Sequence, residues 1–304
     1  MPELRLPGMD HDYYDFSSIT SRPRLEWPDG ASVAFCVIVN LEHYELIPPE
    51  DAYTLKVRYG PPRIRPAPDI SCFSYREYGN RVGVFGIMKL LDKYGIRATA
   101  ALDATIADSN PFLVKECQER EWEFMAHGIT ARRLITSLMT EEQERDHIRT
   151  SVQAVERATG EKPAGWFGIE YSESARTPNL LAEQGIRYTC DWPNDEQPYA
   201  MRVKGGNMYS LPVTVELDDD KALGLRAMPI MDYAEIAKDT FDVLHREGAQ
   251  NGRLLVLNLH PYVMGQPYRL KYLDQILAHI CGRDGVWKAT GSEIVDWYSK
   301  LGRA

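Results

Sequence analysis

Titratable side chains in this chain stand where short apolar runs stop. Val39 is followed by Asn40 and Glu42, Leu102 by Asp103, Ala126 by His127, Cys190 by Asp191 and Leu259 by His260. Carboxylates and imidazoles take and give protons near neutral pH, so gathered at one place they make an acid–base pocket. A lone histidine after a strand is more often a structural hydrogen-bonding group. Two histidines converging with several carboxylates point instead to catalysis. The segment Glu123-Phe-Met-Ala-His127-Gly-Ile-Thr-Ala131 adds a question. A second histidine at 131 would complete a metal-binding pair, and an alanine methyl ligates nothing.

The elements that must position these groups alternate in type. Ser32 to Val39 is a continuous apolar, β-branched run of the kind buried on both faces of a sheet. A helix is predicted over Asn80 to Tyr94, with Val84, Ile87, Met88 and Leu91 on one stripe and Gly95 at its C′ position. A strand over Ile96 to Leu102 comes next. Thr140-Glu-Glu-Gln143 is a capping box opening a helix that Gly160 closes. The phrase Leu91-Asp-Lys-Tyr-Gly95-Ile-Arg-Ala-Thr99 returns as Leu181-Ala-Glu-Gln-Gly185-Ile-Arg-Tyr-Thr189, one αβ unit used twice. Leu254 to Leu259 is another buried strand, Arg269 to Cys281 is amphipathic, and Thr290-Gly-Ser-Glu293 opens a last helix. Strands alternating with helices imply parallel βαβ units, whose ligands collect at the carboxyl ends of the strands.

Two stretches break the rhythm. From His43 to Tyr78 the chain carries Pro48, Pro49, Pro61, Pro62, Pro66 and Pro68 among Tyr44, Tyr53, Tyr59 and Tyr75, as a lid, binding loop or subunit contact would. Trp192 to Asp220 is polar and acidic and is expected to shape the mouth of a site. No Gly-, Ser- or charge-rich linker divides the 304 residues, so residues 1–304 read as one domain, with residues 1–30 an arm and residues 43–78 an insertion loop.

Composition excludes several function classes. Hydrophobic residues at 44% and charged residues at 26% are those of an ordinary globular protein. A net charge of -9 with no basic run argues against nucleic acid and against anionic membranes as partners. The first ten residues hold no apolar leader and no stretch is long enough to span a bilayer, so a cytoplasmic protein is expected. Cys36, Cys72, Cys117, Cys190 and Cys281 are odd in number and widely spaced, and read as reduced thiols.

From about Val33 to Trp297 the chain resembles the polysaccharide deacetylase family, which shares the NodB-homology fold. Val37-Ile-Val-Asn-Leu-Glu42 resembles its first motif, where acidic residues supply a metal ligand and a general base. Glu123-Phe-Met-Ala-His127-Gly resembles the second, whose histidine is a metal ligand, and Leu257-Asn-Leu-His260-Pro-Tyr the last, whose histidine is the general acid. Tyr75-Arg-Glu-Tyr-Gly-Asn-Arg-Val-Gly83 is similar to the allantoinase-like, cyclic-imide-hydrolase-like branch, which acts on peptidoglycan-like amides and on small cyclic amides such as allantoin and imides. The resemblance implies a distorted (β/α) barrel of about seven parallel strands, a long Pro/Tyr-rich insertion after the first, and hydrolysis of a carbon–nitrogen bond.

The chain departs from the family pattern in three places. Ala131 replaces the second histidine, Gly165-Trp166-Phe167-Gly168 stands where an Arg-x-Pro-x-Gly motif belongs, and Glu42 is longer than the usual aspartate. Glu42 and His127 alone fall short of the three protein ligands of a catalytic zinc, with His43 or His260 the remaining candidates. The resemblance to the cyclic-amide branch implies that no cofactor is required; a divalent metal such as zinc would have to use the weakened His127 and Glu42 site. The expected reaction is hydrolysis of a small cyclic amide, ureide or imide, with Glu42 as base, His260 as acid and His127 stabilising the oxyanion. Trp166, Phe167 and Trp192 are either an apolar wall against a flat ring or core aromatics. Arg76 is either an anchor for a substrate carbonyl or carboxylate or a salt-bridged loop residue, and Asp191, like Asp103, either reaches substrate or caps a helix. Asp195, His11, His147, His245 and His279 read as surface groups. A metal-dependent N-deacetylase of an acetylated sugar or peptidoglycan-like substrate is the alternative reaction, and a non-catalytic metabolite-binding descendant the alternative class. The proline-rich insertion, with tyrosines to bury, suggests a homo-oligomer.

Overall fold

A computed structural model describes residues 11–50, 52 and 67–302. Nine strands among them form one sheet: β1 Val33–Leu41, β2 Thr99–Leu102, β3 Glu123–Ala126, β4 Gly165–Trp166, β5 Tyr188–Thr189, β6 Tyr199–Val203, β7 Gly206–Ser210, β8 Arg253–Leu259 and β9 Val286–Lys288. Their order is β6-β7-β5-β4-β3-β2-β1-β8. Only β6 runs antiparallel to its neighbour, so eight strands share one direction and the sheet curls into a half-barrel. The gap between its ends is bridged from β8, where Leu254 N–H donates to the Glu196 carbonyl at 2.8 Å and Val256 N–H to the Thr214 hydroxyl at 3.2 Å.

The strand count exceeds the expected seven for two reasons. β9 pairs with β1 at Val33–Phe35, the half of the β1 edge that β2, paired from Ile38 onward, leaves open. The other is the β6–β7 hairpin, which occupies part of the polar stretch expected to be only a mouth loop. The insertion is also not wholly irregular. Residues 70–93 form one helical rod, α1 Ile70–Tyr78 and α2 Val84–Lys93, joined by a π-helical turn at Gly79–Gly83. Pro61, Pro62, Pro66, Tyr53 and Tyr59 lie outside the described residues.

The remaining helices are α3 Ala104–Ser109, α4 Pro111–Gln118, α5 Glu141–Thr159, α6 Thr177–Glu183, α7 Ile230–Gly248, α8 Pro261–Met264, α9 Pro267–Cys281 and α10 Gly291–Lys300. Both capping boxes form, at Thr140/Gln143 and Thr290/Glu293. Gly95 and Gly185 end the two αβ repeats at φ +60° and +75°, the left-handed region open to glycine without strain.

Side-chain alternation along the strands sorts the core into two layers. Val37, Val39 and Leu41 of β1, with Leu257 and Leu259 of β8, pack outward against Ile87, Leu91, Ile148 and Phe241 of the helices. Cys36, Ile38, Ala101, Met125 and Val256 point inward and fill the barrel. Burying each aliphatic side chain contributes about 1.5–3 kcal/mol, which fixes the register of every strand. Period two then dictates the inward residues at the carboxyl end: Asn40 and Glu42, Asp103, His127, and Asn258 and His260. The apolar floor of the barrel thus places the polar groups at its mouth.

Candidate acid–base site

Glu42, His127 and His260 meet there. His127 Nδ1 lies 2.5 Å from the Phe167 carbonyl, which can only accept, so Nδ1 donates to it, and Nε2 must carry a proton as well to hydrogen-bond a carboxylate. Its Nε2 faces Glu42 Oε1 at 3.2 Å. His260 approaches the same oxygen, its Nε2 3.9 Å away. The other Glu42 oxygen accepts from Arg76 NH1 at 3.0 Å, and Asn80 Nδ2 holds the Glu42 carbonyl at 2.9 Å. Burial alone would raise the Glu42 carboxyl; the His127 hydrogen bond and the charges of His260 and Arg76 outweigh it and pull the group down to about 2.

His260 is built the opposite way. Burial disfavours its charge, but Asp219 Oδ1 lies 2.7 Å from Nδ1 and Asp218 adds a second negative charge, so the imidazole is pushed up to about 10. Both Asp219 oxygens also accept the His260 backbone N–H at 2.9 Å. Asp219 itself is raised to about 6, burial outweighing the pull of His260. Asp218 Oδ2 accepts from Tyr171 OH at 2.7 Å and from Asn258 Nδ2 at 2.8 Å, and Asn40 Nδ2 continues the chain to Asn258 Oδ1 at 2.7 Å. Sequence reading missed Asp218 and Asp219. Three acids in a row after apolar Leu217 were the available signal, but nothing in the chain tied them to a histidine forty residues away.

The other expected residues serve these three groups. Asp191 is buried and accepts the Gly168 N–H at 2.7 Å. The Phe167 carbonyl belongs to the same peptide unit, so Asp191 acts on His127 through one rigid amide plane. Only glycine fits at 168, since a Cβ there would lie 2.6 Å from the Ser172 carbonyl oxygen. Burial raises Asp191 to about 6 and raises its neighbour Glu173 as well. Phe167 packs against the His127 ring, centroids 5.2 Å apart. Trp166 is fully buried in the outer core layer, and Trp192 donates to Glu173 at 3.0 Å while its ring meets Tyr13 and Tyr14. Asp103 caps α3 and also accepts the His43 N–H at 2.5 Å. Asp195 is not a free surface group, since it pairs with Arg22 at 2.5 Å. His147 is buried rather than at the surface: Glu144, Ile148, Ser151, Val152 and Val155 share its side of α5, and burial holds it down to about 4.

Ala131 contributes only its backbone, donating to the His43 carbonyl at 2.9 Å and tying the loop after β3 to the loop after β1. A metal at Glu42 and His127 would find two donors, with a guanidinium already on the second Glu42 oxygen. Among the described residues, Asp218, Asp219 and His260 bring three ligand atoms within 4.8 Å of one another. Asp219 and His260 Nδ1 are engaged with each other at 2.7 Å and Asp218 Oδ2 with Tyr171 and Asn258, so neither set is a three-ligand site with all its donors open. Among the described residues no helix is long and apolar enough to cross a membrane.

A curled parallel sheet whose strand ends set one carboxylate beside two imidazoles brings together the groups that acid–base hydrolysis uses. Residues 77–189 match the family model for polysaccharide deacetylase. A Schizosaccharomyces pombe protein assigned by name to the polysaccharide deacetylases is 27% identical over 296 residues, covering 90% of this chain and 92% of that one. The peptidoglycan deacetylase of Helicobacter pylori is 25% identical over 73% of this chain and 86% of its own. Among solved structures, Puue allantoinase superposes with a TM-score of 0.84 at 25% identity, covering 94% of this chain and 96% of its own. The chain is thus similar to polysaccharide deacetylases over most of its length, and falls with them among the hydrolases acting on carbon–nitrogen bonds other than peptide bonds.

Proposed function

We propose that this protein hydrolyses the carbon–nitrogen bond of a small cyclic amide, ureide or imide, with Glu42 as general base and His260 as general acid. The observation that carries the reading is the shared approach of His127 and His260 to one Glu42 oxygen, at 3.2 and 3.9 Å, with the carboxyl held ionised and His260 held protonated. Water attacks the carbonyl carbon as Glu42 takes its proton. The C–N bond then breaks as His260 Nε2 protonates the departing nitrogen, leaving a carboxylate and an N–H group joined by the opened ring. His127, its Nδ1 N–H held by Phe167 and its Nε2 protonated as well, directs the Nε2 N–H toward the oxygen on which charge develops. A substrate entering between Glu42 and His260 weakens their mutual attraction, which for Glu42 adds to the His127 hydrogen bond and for His260 is smaller than the pull of Asp219 and Asp218. Glu42 then rises and His260 falls, toward the range where proton transfer is efficient. No step needs a metal.

Support for a small strained ring over a polymer is the departure of the donor set from a three-ligand metal site, together with the full-length likeness to an allantoinase. The names of the curated relatives favour a second reading, N-deacetylation of a sugar polymer. A hydrolysis screen of cyclic amides, ureides, imides and N-acetyl sugars, with and without chelator, separates the two. Ring opening that survives chelator is expected. Activity confined to N-acetyl sugars and lost with chelator overturns the proposal.

A further inference from the structure

Arg76 was a candidate substrate anchor by sequence, but its guanidinium is already committed. It lies 3.0 Å from Glu42 Oε2, and the two side chains are only 12% and 10% exposed. Tyr262 and Tyr44 flank it, their ring centroids 4.4 and 4.9 Å away, and the Tyr262 phenol is held by Asp220 Oδ1 at 2.6 Å. A planar cation between two aromatic faces with a buried carboxylate at its edge has lost the freedom to follow a ligand. The two Glu42 oxygens are thereby divided: one belongs to Arg76, the other to the two imidazoles and the attacking water.

We infer that Arg76 is the positioning residue of Glu42, fixing which carboxylate oxygen faces the reacting water, and does not bind substrate. The inference rests on reading Glu42 as the base. Arg76→Ala should lower kcat about 100-fold, the effect of misplacing a reacting group by about 1 Å, with KM changed less than about threefold. Added guanidinium ion, which fits between the two tyrosine rings, should restore kcat. Crystal structures of Arg76→Ala should show the Glu42 carboxylate displaced from His127, and returned when guanidinium is soaked in. A raised KM at unchanged kcat, or a Glu42 carboxylate that stays in place without Arg76, overturns the inference. The crystallographic arm stands even if wild-type protein opens no cyclic amide, so failure of the proposed reaction and failure of this inference are told apart. Should Arg76→Ala not fold, Arg76→Lys takes its place. Its expected result is a smaller loss of kcat at unchanged KM, and unchanged kcat with a raised KM again overturns the inference.

Discussion

Asp219→Asn is the most informative perturbation of the acid. The imidazole of His260 goes from an ordinary 6.5 to about 10 in the fold. At 1.36 kcal/mol per tenfold change in proton affinity, that difference is roughly 5 kcal/mol favouring the charged ring. Burial works against the charge, so the anions supply more than this net figure, and Asp219, in hydrogen-bond contact at 2.7 Å, supplies the largest part. An asparagine keeps the shape and can still accept from the backbone N–H, but removes the charge. With burial then opposed only by Asp218 and Glu42, His260 should fall toward or below its ordinary value. The assay is the pH dependence of kcat/KM for ring opening. Wild-type protein should keep activity until the pH passes about 10, where its acid deprotonates, and the variant should lose activity from about neutrality. Stability follows the same sign. The folded value lies above the unfolded one, so this contribution of His260 is full below pH 6.5 and fades as pH rises through about 10. Denaturant titrations should show that alkaline loss in wild type and little of it in the variant. An alkaline limb that stays put in Asp219→Asn would refute the assignment of Asp219 as the partner that charges His260.

Glu42→Gln should cost roughly 10²–10⁴ in kcat and also lower the melting temperature, because the buried Arg76 charge loses its partner; a rate within about tenfold of the parent contradicts its role as base. Gly83→Ala would put a methyl 2.2 Å from the Pro261 carbonyl oxygen, so about 1–3 kcal/mol of stability should disappear in urea titration, together with activity, because Pro261 follows His260. A variant as stable as its parent would mean that this contact yields freely. Glu144→Ala removes a fully buried carboxylate that accepts from Ser174, Thr177 and Arg176, and should cost about 3 kcal/mol, discounted because Arg176 is partly exposed. A loss under about 1 kcal/mol would show that the cluster relaxes around the gap.

What sequence made legible was what period and capping control. Ser32 to Val39 and Leu254 to Leu259 read as strands because both of their faces are buried, and their last inward residues therefore fell into place as Glu42 and His260. His147 was equally legible and was misread, since its i+4 and i+8 neighbours Ser151 and Val155 mark the buried side of α5. The hairpin at Tyr199–Ser210 has alternating residues and a Lys204-Gly205 turn, a pattern masked by the polarity of its surroundings. The α1 helix has only Cys72 buried among its nine residues, so amphipathic patterning could not announce it. Asp218 and Asp219 belong to a different category: their meaning depends on the three-dimensional return of β8, which no local pattern encodes.

The π turn between α1 and α2 has a consequence for how this site can change. An ordinary helix advances about 100° per residue, and a π turn holds one residue more than the α-helical count, so it rotates everything before it relative to everything after. Through that phase offset one rod presents Arg76 and Asn80 to Glu42 while Val84, Ile87, Met88 and Leu91 face the sheet. Deleting a single residue from Gly79–Gly83 would restore a uniform helix in which Arg76 keeps close to its present phase against the core stripe, while the turn that carries Asn80 to the Glu42 carbonyl closes up. Insertions and deletions at this turn are therefore a means of retuning the base separately from the barrel, a coarser lever than point substitution and one that leaves the apolar face of the rod intact.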